Sequence, residues 1–146
     1  MASQTSQPEL DEAVVERLRI AAAKAAHHAY APYSRFFVGA ALLLEGGEVV
    51  TGCNVENASY RLTCCAEQAA VARAVSEHGP GIRIAAVAVA NADPAVACQP
   101  CGACRQTLAE FTDGTCRIFY PGGDGKPGEC TLADLLPATF SAASLP

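Results

Sequence analysis

Apolar residues near the start of the chain recur at the spacing of an amphipathic helix. Between residues 9 and 30, Leu10, Val14 and Leu18 follow one another at intervals of four, which places them on one helical face. Pro32 comes shortly after this stretch, and the residue before a proline disfavours helical geometry. The pattern therefore predicts a packing helix over residues 9–30.

Shorter apolar runs, separated by turn residues, predict strands and further helices along the rest of the chain. Two runs on either side of Glu45-Gly46-Gly47-Glu48 indicate a β-hairpin. An Ala- and Val-rich stretch that ends at Gly79-Pro80 indicates a helix. The predicted strands are 37–44, 48–53, 83–90, 115–120 and a short edge strand at 128–131, and the later helices are 65–77, 102–111 and 132–135.

This alternation of strands and helices predicts a three-layer α/β sandwich with a mixed sheet of about five strands. The hairpin comes first and is antiparallel, and we expect parallel strands after it. A chain of 146 residues fits a single domain with one core. We therefore expect one domain over residues 1–146, in which residues 1–8 form a flexible tail.

Composition and charge narrow the classes of partner. The net charge is −5 and no basic stripe is visible, which disfavours binding to nucleic acid and favours a small-molecule substrate. No segment approaches the roughly 20 apolar residues of a membrane span, so no membrane partner is expected. Hydrophobic residues make up 51% of the chain without any Trp, which leaves apolar surface for self-association.

Eight cysteines need to be assigned before any of them is given a function. The N-terminus shows no secretory signal pattern, so we expect the reducing cytoplasm and no disulfides. Cys53, Cys116 and Cys130 lie in or beside predicted strands and fit small buried hydrophobic positions. Cys64 and Cys98 are alternatives as metal ligands, because each lies close in sequence to a stronger candidate.

The stronger candidates are Cys65, Cys101 and Cys104, which occur in the segments Cys-Ala-Glu and Pro-Cys-Gly-Ala-Cys. Three thiolates can occupy three corners of a zinc tetrahedron and leave the fourth to water. Glu67 follows Cys65 by two residues and can move the protons of that water. If Cys65 begins one helix and the other two begin a second, both helix N-termini favour thiolate over thiol. The pattern predicts a catalytic zinc site.

Several motifs together resemble the small homotetrameric cytidine deaminases, from about Ala29 to Phe140. The motifs are Tyr33-Ser34-Arg35-Phe36, Val38-Gly39-Ala40-Ala41, Asn54-Val55-Glu56-Asn57-Ala58-Ser59-Tyr60, Cys65-Ala66-Glu67 and Pro100-Cys101-Gly102-Ala103-Cys104-Arg105-Gln106. The resemblance implies an α/β/α cytidine deaminase-like sandwich and one zinc ion per chain. It also implies a homotetramer with shared active sites.

Three substrate contacts have two interpretations when the residues are considered alone. Phe36 fits a core position or a ring contact. Asn54 and Glu56 fit either a grip on a diol or the capping of a turn. The resemblance implies the functional alternative in each case, with Phe36 against the pyrimidine ring and the other two on the ribose 3′-hydroxyl.

The resemblance also implies contacts at the base and from neighbouring subunits. The Ala66 N–H, at the start of a predicted helix, is suited to hold the carbonyl oxygen of the base. Tyr60 is expected near the substrate, from a neighbouring subunit. Phe140 is expected to reach into the site of another subunit.

The expected reaction is zinc-dependent hydrolytic deamination of cytidine and 2′-deoxycytidine to uridine and 2′-deoxyuridine, with release of ammonia, as in pyrimidine salvage. Glu67 acts as base and then as acid in this scheme. One alternative is a deaminase of another aminopyrimidine nucleoside, such as a nucleoside antibiotic. The other is a non-catalytic, zinc-stabilised or redox-sensing protein.

Two positions depart from the pattern that the resemblance implies: Gln68, and Arg61, which follows Tyr60 where such enzymes often carry Gly. Such enzymes usually carry Arg after the catalytic Glu, and this chain has Gln68. Zinc with three thiolates has a net charge near −1. The sequence is compatible with two outcomes: reduced activity, or a compensating cation from Arg105 or Arg61.

Overall fold

A mixed five-stranded sheet organises residues 8–146, the part of the chain that the computed structural model describes. The tail predicted for residues 1–8 lies outside this range except for Pro8. In chain order the elements are α1 (Glu12–Ala26), β1 (Val38–Leu44), β2 (Val49–Cys53), α2 (Ala66–His78), β3 (Ile84–Asn91), α3 (Gly102–Ala109), β4 (Arg117–Pro121), β5 (Pro127–Thr131) and α4 (Leu132–Leu135), with 3₁₀ turns at Tyr60–Leu62 and Ala142–Ser144.

The strands follow the order β2-β1-β3-β4-β5 across the sheet. Strand β1 runs antiparallel to both β2 and β3, and β3 runs parallel to β4. The prediction of parallel strands after the hairpin is correct for β3 and β4 but wrong for β5, which is antiparallel to β4. The physical reason is the tight turn in which the Gly122 N–H donates to the Lys126 carbonyl at 2.8 Å, because a parallel neighbour needs a long crossover.

Helices cover both faces of the sheet, which confirms the predicted α/β/α sandwich. On one face α1 packs on β1 and β3 through Val15, Leu18 and Ala22. On the other face α2 and α3 pack through a second core that includes Val71 and Leu108. Every residue of β1 is buried, as expected for a strand between two layers.

Helix α1 is shorter than the predicted helix at both ends. Asp11 caps its N-terminus, since the Asp11 carboxylate accepts from the Val14 N–H at 2.8 Å. At the other end the chain leaves the helix after Ala26. Tyr30 instead joins the segment after β2: its N–H donates to the Asn54 carbonyl at 3.0 Å, and its carbonyl accepts from the Glu56 N–H at 2.8 Å.

Two glycines permit the close approach of helices to strands β1 and β2. A Cβ at Gly39 of β1 would lie 2.5 Å from the Ala26 nitrogen of α1. A Cβ at Gly52 of β2 would lie 2.6 Å from the Ala66 carbonyl oxygen of α2. Gly52 therefore determines how closely the first turn of α2 approaches the sheet.

Among residues 8–146, no helix combines the length and apolar character that are needed to cross a bilayer.

Candidate active site

The three predicted zinc ligands lie at the N-termini of two neighbouring helices. Cys65 is the residue immediately before α2, and Cys101 is the residue immediately before α3. Cys104 lies in the first turn of α3 and is fully buried. The three sulfur atoms all lie within 4.8 Å of one another. Two helix N-termini thus converge on one group of thiols, as the sequence predicts.

The spacing of these sulfur atoms fits one zinc ion. The Cys65 and Cys101 sulfur atoms are 3.9 Å apart. Tetrahedral coordination with Zn–S bonds of about 2.3 Å places two thiolates roughly 3.8 Å apart. The side chains are therefore already arranged to within a small adjustment for a metal, and an all-thiolate donor set favours zinc over the harder divalent cations.

The surroundings of Cys65 and Cys104 shift the pKa values of these two thiols in opposite directions. Hydrogen bonds from Cys104 and from Cys101 lower the pKa of Cys65 to about 6, although burial and the charge of Glu67 oppose this. The same hydrogen bond with Cys65, together with burial, raises the pKa of Cys104. The hydrogen bonds within the cluster therefore favour the thiolate form of Cys65, and binding of a divalent cation favours loss of the remaining protons.

Glu67 is a buried carboxyl group beside this cluster. Its side chain is only 4% exposed, and one carboxylate oxygen lies 3.4 Å from the Cys104 sulfur atom. Burial raises the pKa of Glu67 above its usual value, despite hydrogen bonds from its own N–H and from Cys104. A raised pKa makes a carboxyl group better suited both to accept and to return a proton.

The side chains of Gln68 and Arg105 both hydrogen-bond to backbone groups near the cluster. The Gln68 side-chain oxygen accepts from the Cys65 N–H at 3.1 Å and so caps α2. Arg105 donates to two backbone carbonyls, that of Pro100 at 2.8 Å and that of Leu135 at 2.9 Å. Within residues 8–146, no hydrogen bond joins either Arg105 or the exposed Arg61 to a thiol of the cluster.

The two alternative ligands lie outside the cluster. Among the described residues, only Cys65, Cys101 and Cys104 form a group with metal-binding spacing. Burial and the charge of Glu67 raise the pKa of Cys98 to about 12, so it stays protonated. Cys64 directs its sulfur to the Cys65 carbonyl at 3.6 Å, and burial raises its pKa as well. Neither thiol is suited to replace a thiolate ligand.

Glu56 braces the loop that carries Phe36. Its carboxylate accepts from the Tyr33 N–H at 2.9 Å and from the Ser34 N–H at 3.2 Å. The Ser34 hydroxyl donates to the other carboxylate oxygen and accepts from the Phe36 N–H at 3.0 Å. The hydrogen bond from the Ser34 hydroxyl, supported by the two backbone N–H groups, lowers the pKa of Glu56. The carboxylate therefore stays ionised.

Asn54 holds the same loop from the other side. The side chain is buried, and its amide nitrogen donates to the Phe36 carbonyl at 2.8 Å. Its oxygen accepts from the Val38 N–H at 2.9 Å. The Glu56 carboxylate thus caps the turn at residues 32–34, which is one of the alternatives considered above, and Asn54 links the loop to β1. The roles of both residues as sugar ligands stay predictions. Phe36, at 39% exposure, is not a core residue.

The remaining predicted contacts lie around this loop and at the C-terminal segment. Ala66 is buried as the first residue of α2, where its N–H has no intrahelical acceptor. Tyr60 is 74% exposed, and its ring centre lies 5.8 Å from that of Tyr33. Both tyrosines line a pocket of about 240 Å³ with Glu56. Phe140 is also exposed, and its carbonyl accepts from the Gln106 side chain at 2.9 Å.

Sequence reasoning did not predict the long-range hydrogen bonds that support the site. Ser34 contacts a partner 22 positions away, Arg105 one that is 30 positions away, and Gln106 one that is 34 positions away. All three lie inside the motifs that carry the resemblance, and their presence there was the only available signal. Periodicity and spacing contain no information on such pairs.

Comparison with known proteins agrees with this geometry. Residues 13–120 match the family described as the cytidine and deoxycytidylate deaminase zinc-binding region. A cytidine deaminase of Sporosarcina psychrophila is 44% identical over 131 residues, which cover 90% of this chain and 94% of that protein. A cytidine deaminase of Mycobacterium tuberculosis is 47% identical over 129 residues, which cover 88% of this chain and 91% of that protein.

Solved structures are similar to the same extent. The crystal structure of the cytidine deaminase from Mycobacterium tuberculosis matches with a TM-score of 0.77 at 45% identity, and the match covers 90% of this chain and 98% of that one. The structure from Burkholderia pseudomallei matches with a TM-score of 0.77 at 43% identity, over 86% of this chain and 98% of that one. The resemblance inferred from the motifs is confirmed, and the chain belongs to the family of zinc-binding cytidine and deoxycytidylate deaminases.

Proposed function

We propose that this protein catalyses the zinc-dependent hydrolytic deamination of cytidine and 2′-deoxycytidine to uridine and 2′-deoxyuridine, with release of ammonia, in pyrimidine salvage. The observation that carries the proposal is the buried Glu67 carboxyl group 3.4 Å from the sulfur of Cys104, beside the three clustered thiols. A site that served only to stabilise the fold would have no use for a carboxyl group with a raised pKa beside it.

Cys65, Cys101 and Cys104 would hold the zinc ion in this proposal. When bound, zinc supplies a Lewis acid that makes water nucleophilic near neutral pH. Hydrogen bonds lower the pKa of Cys65, and its thiolate would provide negative charge that attracts the cation.

Glu67 carries the protons of the reaction. It takes one proton from the attacking water and delivers it to N3 of the cytosine ring, which makes addition at C4 accessible. It then takes the proton that remains on the added oxygen and transfers it to the departing amine, so that ammonia leaves as the C4–N bond breaks. The burial that raises the pKa of Glu67 brings that pKa closer to those of the groups with which it exchanges protons.

Other residues hold the substrate. Phe36 faces the pyrimidine ring, and the free Ala66 N–H donates to the carbonyl oxygen of the base. Asn54 and Glu56 hydrogen-bond the ribose 3′-hydroxyl, each with capacity that remains after its loop contacts. These assignments rest on the positions of the residues in the family motifs and on their places around one loop.

The active form in this proposal is a cytoplasmic homotetramer in which neighbouring subunits share sites. Tyr60 and Phe140, both largely exposed, would complete the site of another subunit. Aromatic side chains with so much exposed apolar area support the idea that a partner surface covers them.

The test is a variant of the proposed acid/base residue. Glu67→Gln should bind zinc with the native stoichiometry and lose at least about 100-fold in turnover of cytidine, because an amide keeps the shape but cannot exchange the proton. Ultraviolet monitoring of cytidine conversion, with metal analysis of the same samples, gives both quantities.

A matched variant and a substrate panel complete the test. Glu77→Gln changes an exposed carboxylate in the last turn of the same helix and should retain full activity. Native turnover by Glu67→Gln would remove Glu67 from the mechanism. Turnover of another aminopyrimidine nucleoside in preference to cytidine would assign a different substrate to the same chemistry, and a zinc-loaded native protein without turnover would favour a non-catalytic role.

A further inference from the structure

We propose that Ser34 is a positioning residue that couples recognition of the sugar to recognition of the ring. This inference rests on the proposed function, in which Glu56 contacts the ribose and Phe36 contacts the pyrimidine. Among residues 8–146, the Ser34 hydroxyl is the one group that joins the two, because it donates to the Glu56 carboxylate and accepts from the Phe36 N–H.

The backbone at this point needs such support. Arg35, between Ser34 and Phe36, has a φ of 55°, in the left-handed region that a residue with a side chain rarely adopts. A loop with this conformation relaxes unless its neighbours hold it. The hydrogen bonds on either side of Arg35 supply the restraint, one to the Ser34 N–H and one to the Phe36 N–H.

Both polar backbone groups of Phe36 are held by side chains. The N–H donates to Ser34 at 3.0 Å, and the carbonyl accepts from Asn54 at 2.8 Å. Asn54 follows the end of β2 and is anchored in turn by the Val38 N–H at the start of β1. The aromatic ring is therefore positioned from the sheet on one side and, through Ser34, from Glu56 on the other.

The charge of Glu56 gives this arrangement its strength. The carboxylate accepts three hydrogen bonds, all of them from Tyr33 and Ser34, and hydrogen bonds to an ionised acceptor are stronger than neutral ones. A sugar hydroxyl that binds Glu56 therefore contacts a carboxylate whose orientation is already set by the loop that carries the ring contact. Ser34 itself need not touch the substrate.

Ser34→Ala should raise KM for cytidine by roughly tenfold or more, the loss typical of one hydrogen bond to a charged group. The change in kcat should stay below about threefold, since Glu67 and the thiols are not moved. Ser34→Thr, which keeps the hydroxyl, should restore most of the loss. Ser76→Ala, an exposed serine on α2, serves as the matched control and should leave KM unchanged.

A second substrate separates positioning from direct contact. 2′,3′-Dideoxycytidine lacks the 3′-hydroxyl but keeps the ring, so Ser34→Ala should also raise its KM, by about threefold, through the displaced Phe36. In a Glu56→Gln background, Ser34→Ala should add much less than it does alone, because the two residues act as one unit. If Ser34→Ala does not fold, Ser34→Cys provides the same measurement, as a thiol fills the space but hydrogen-bonds weakly.

The outcomes distinguish this inference from the proposed function. Native protein without cytidine turnover contradicts the proposed function itself. Native turnover combined with an unchanged KM in Ser34→Ala overturns the positioning role alone. A loss confined to cytidine, with dideoxycytidine unaffected, also overturns it, because Ser34 would then act on the sugar and not through Phe36.

Discussion

Gln68 connects the metal centre to the helix that supports it. Its side-chain oxygen accepts from the Cys65 N–H, so we expect Gln68→Ala to lower the free energy of unfolding of the metal-free protein by about 1 kcal/mol, the usual cost of a lost cap. Urea unfolding measures this loss. Gln68→Glu keeps an acceptor and should retain stability without metal, while its added charge beside three thiolates should weaken zinc retention. Equal stability in Gln68→Ala and the native protein would contradict the capping role.

Glu56 should make the stability of the fold depend on pH in a defined direction. Its hydrogen bonds lower its pKa below the ordinary value of 4.5. The stabilisation is therefore fully present above that value, and it is lost as the pH falls through the lowered pKa of the folded protein. We expect the difference in unfolding free energy between the native protein and Glu56→Gln to shrink over that acidic range. Urea titrations of both proteins at several pH values test this, and a difference that grows on acidification would contradict it.

Site residues could be predicted from the sequence where the residues that act together lie close along the chain. Cys101 and Cys104 lie three positions apart, and Glu67 two positions from Cys65, so ligands and acid could be proposed together. The interactions of Arg105 could not be, because its partner at Leu135 comes from another element. On charge alone, a cation near the thiolates was one of two outcomes there. The structure shows instead that backbone carbonyls occupy two of its donors.

At the scale of elements, the two glycines that face helices allow a matched pair of substitutions to be compared. Gly39→Ala and Gly52→Ala should each lower the unfolding free energy by about 1–3 kcal/mol, since the added methyl group meets helix backbone. Only Gly52→Ala should also weaken zinc retention, because it displaces Ala66, the residue after Cys65. Chemical denaturation and competition with a chelator measure the two effects.

The control for this pair is Gly81→Ala. A Cβ at Gly81 has no neighbour within 4 Å, so both quantities should stay at native values. Loss of zinc from Gly39→Ala and not from Gly52→Ala would contradict this prediction, because it would show that the α1 layer, and not the α2 layer, supports the metal.

Element types could be predicted from sequence better than element ends and pairings. The apolar period placed α1 correctly, but its first residue depends on the Asp11 cap and its end on the pairing of Tyr30 with Asn54. The edge strand β5 was placed within one residue of its observed start. Its direction was wrong because a hydrophobic run does not encode which neighbour it joins.

The whole molecule raises the question of how its exposed aromatic residues are used. If Phe140 completes a neighbouring site, Phe140→Ala should raise KM for cytidine by about tenfold, with little change in the unfolding of the subunit. Leu145→Ala changes another exposed apolar residue of the C-terminal segment and should have no such effect. Light scattering with activity measurements on the same samples tests the assembly, and a fully active monomer would exclude shared sites.

The distance along the chain between the thiols has a consequence for chain entropy. Cys65 and Cys101 are 36 residues apart, and the segment between them contains α2 and β3. A bridge that closes a loop of this length removes conformational freedom from the unfolded chain, worth roughly 4 kcal/mol at 25 °C if the bridge were permanent. Zinc is an exchangeable bridge, so the availability of metal would set how often this part of the molecule opens and how readily proteases reach it.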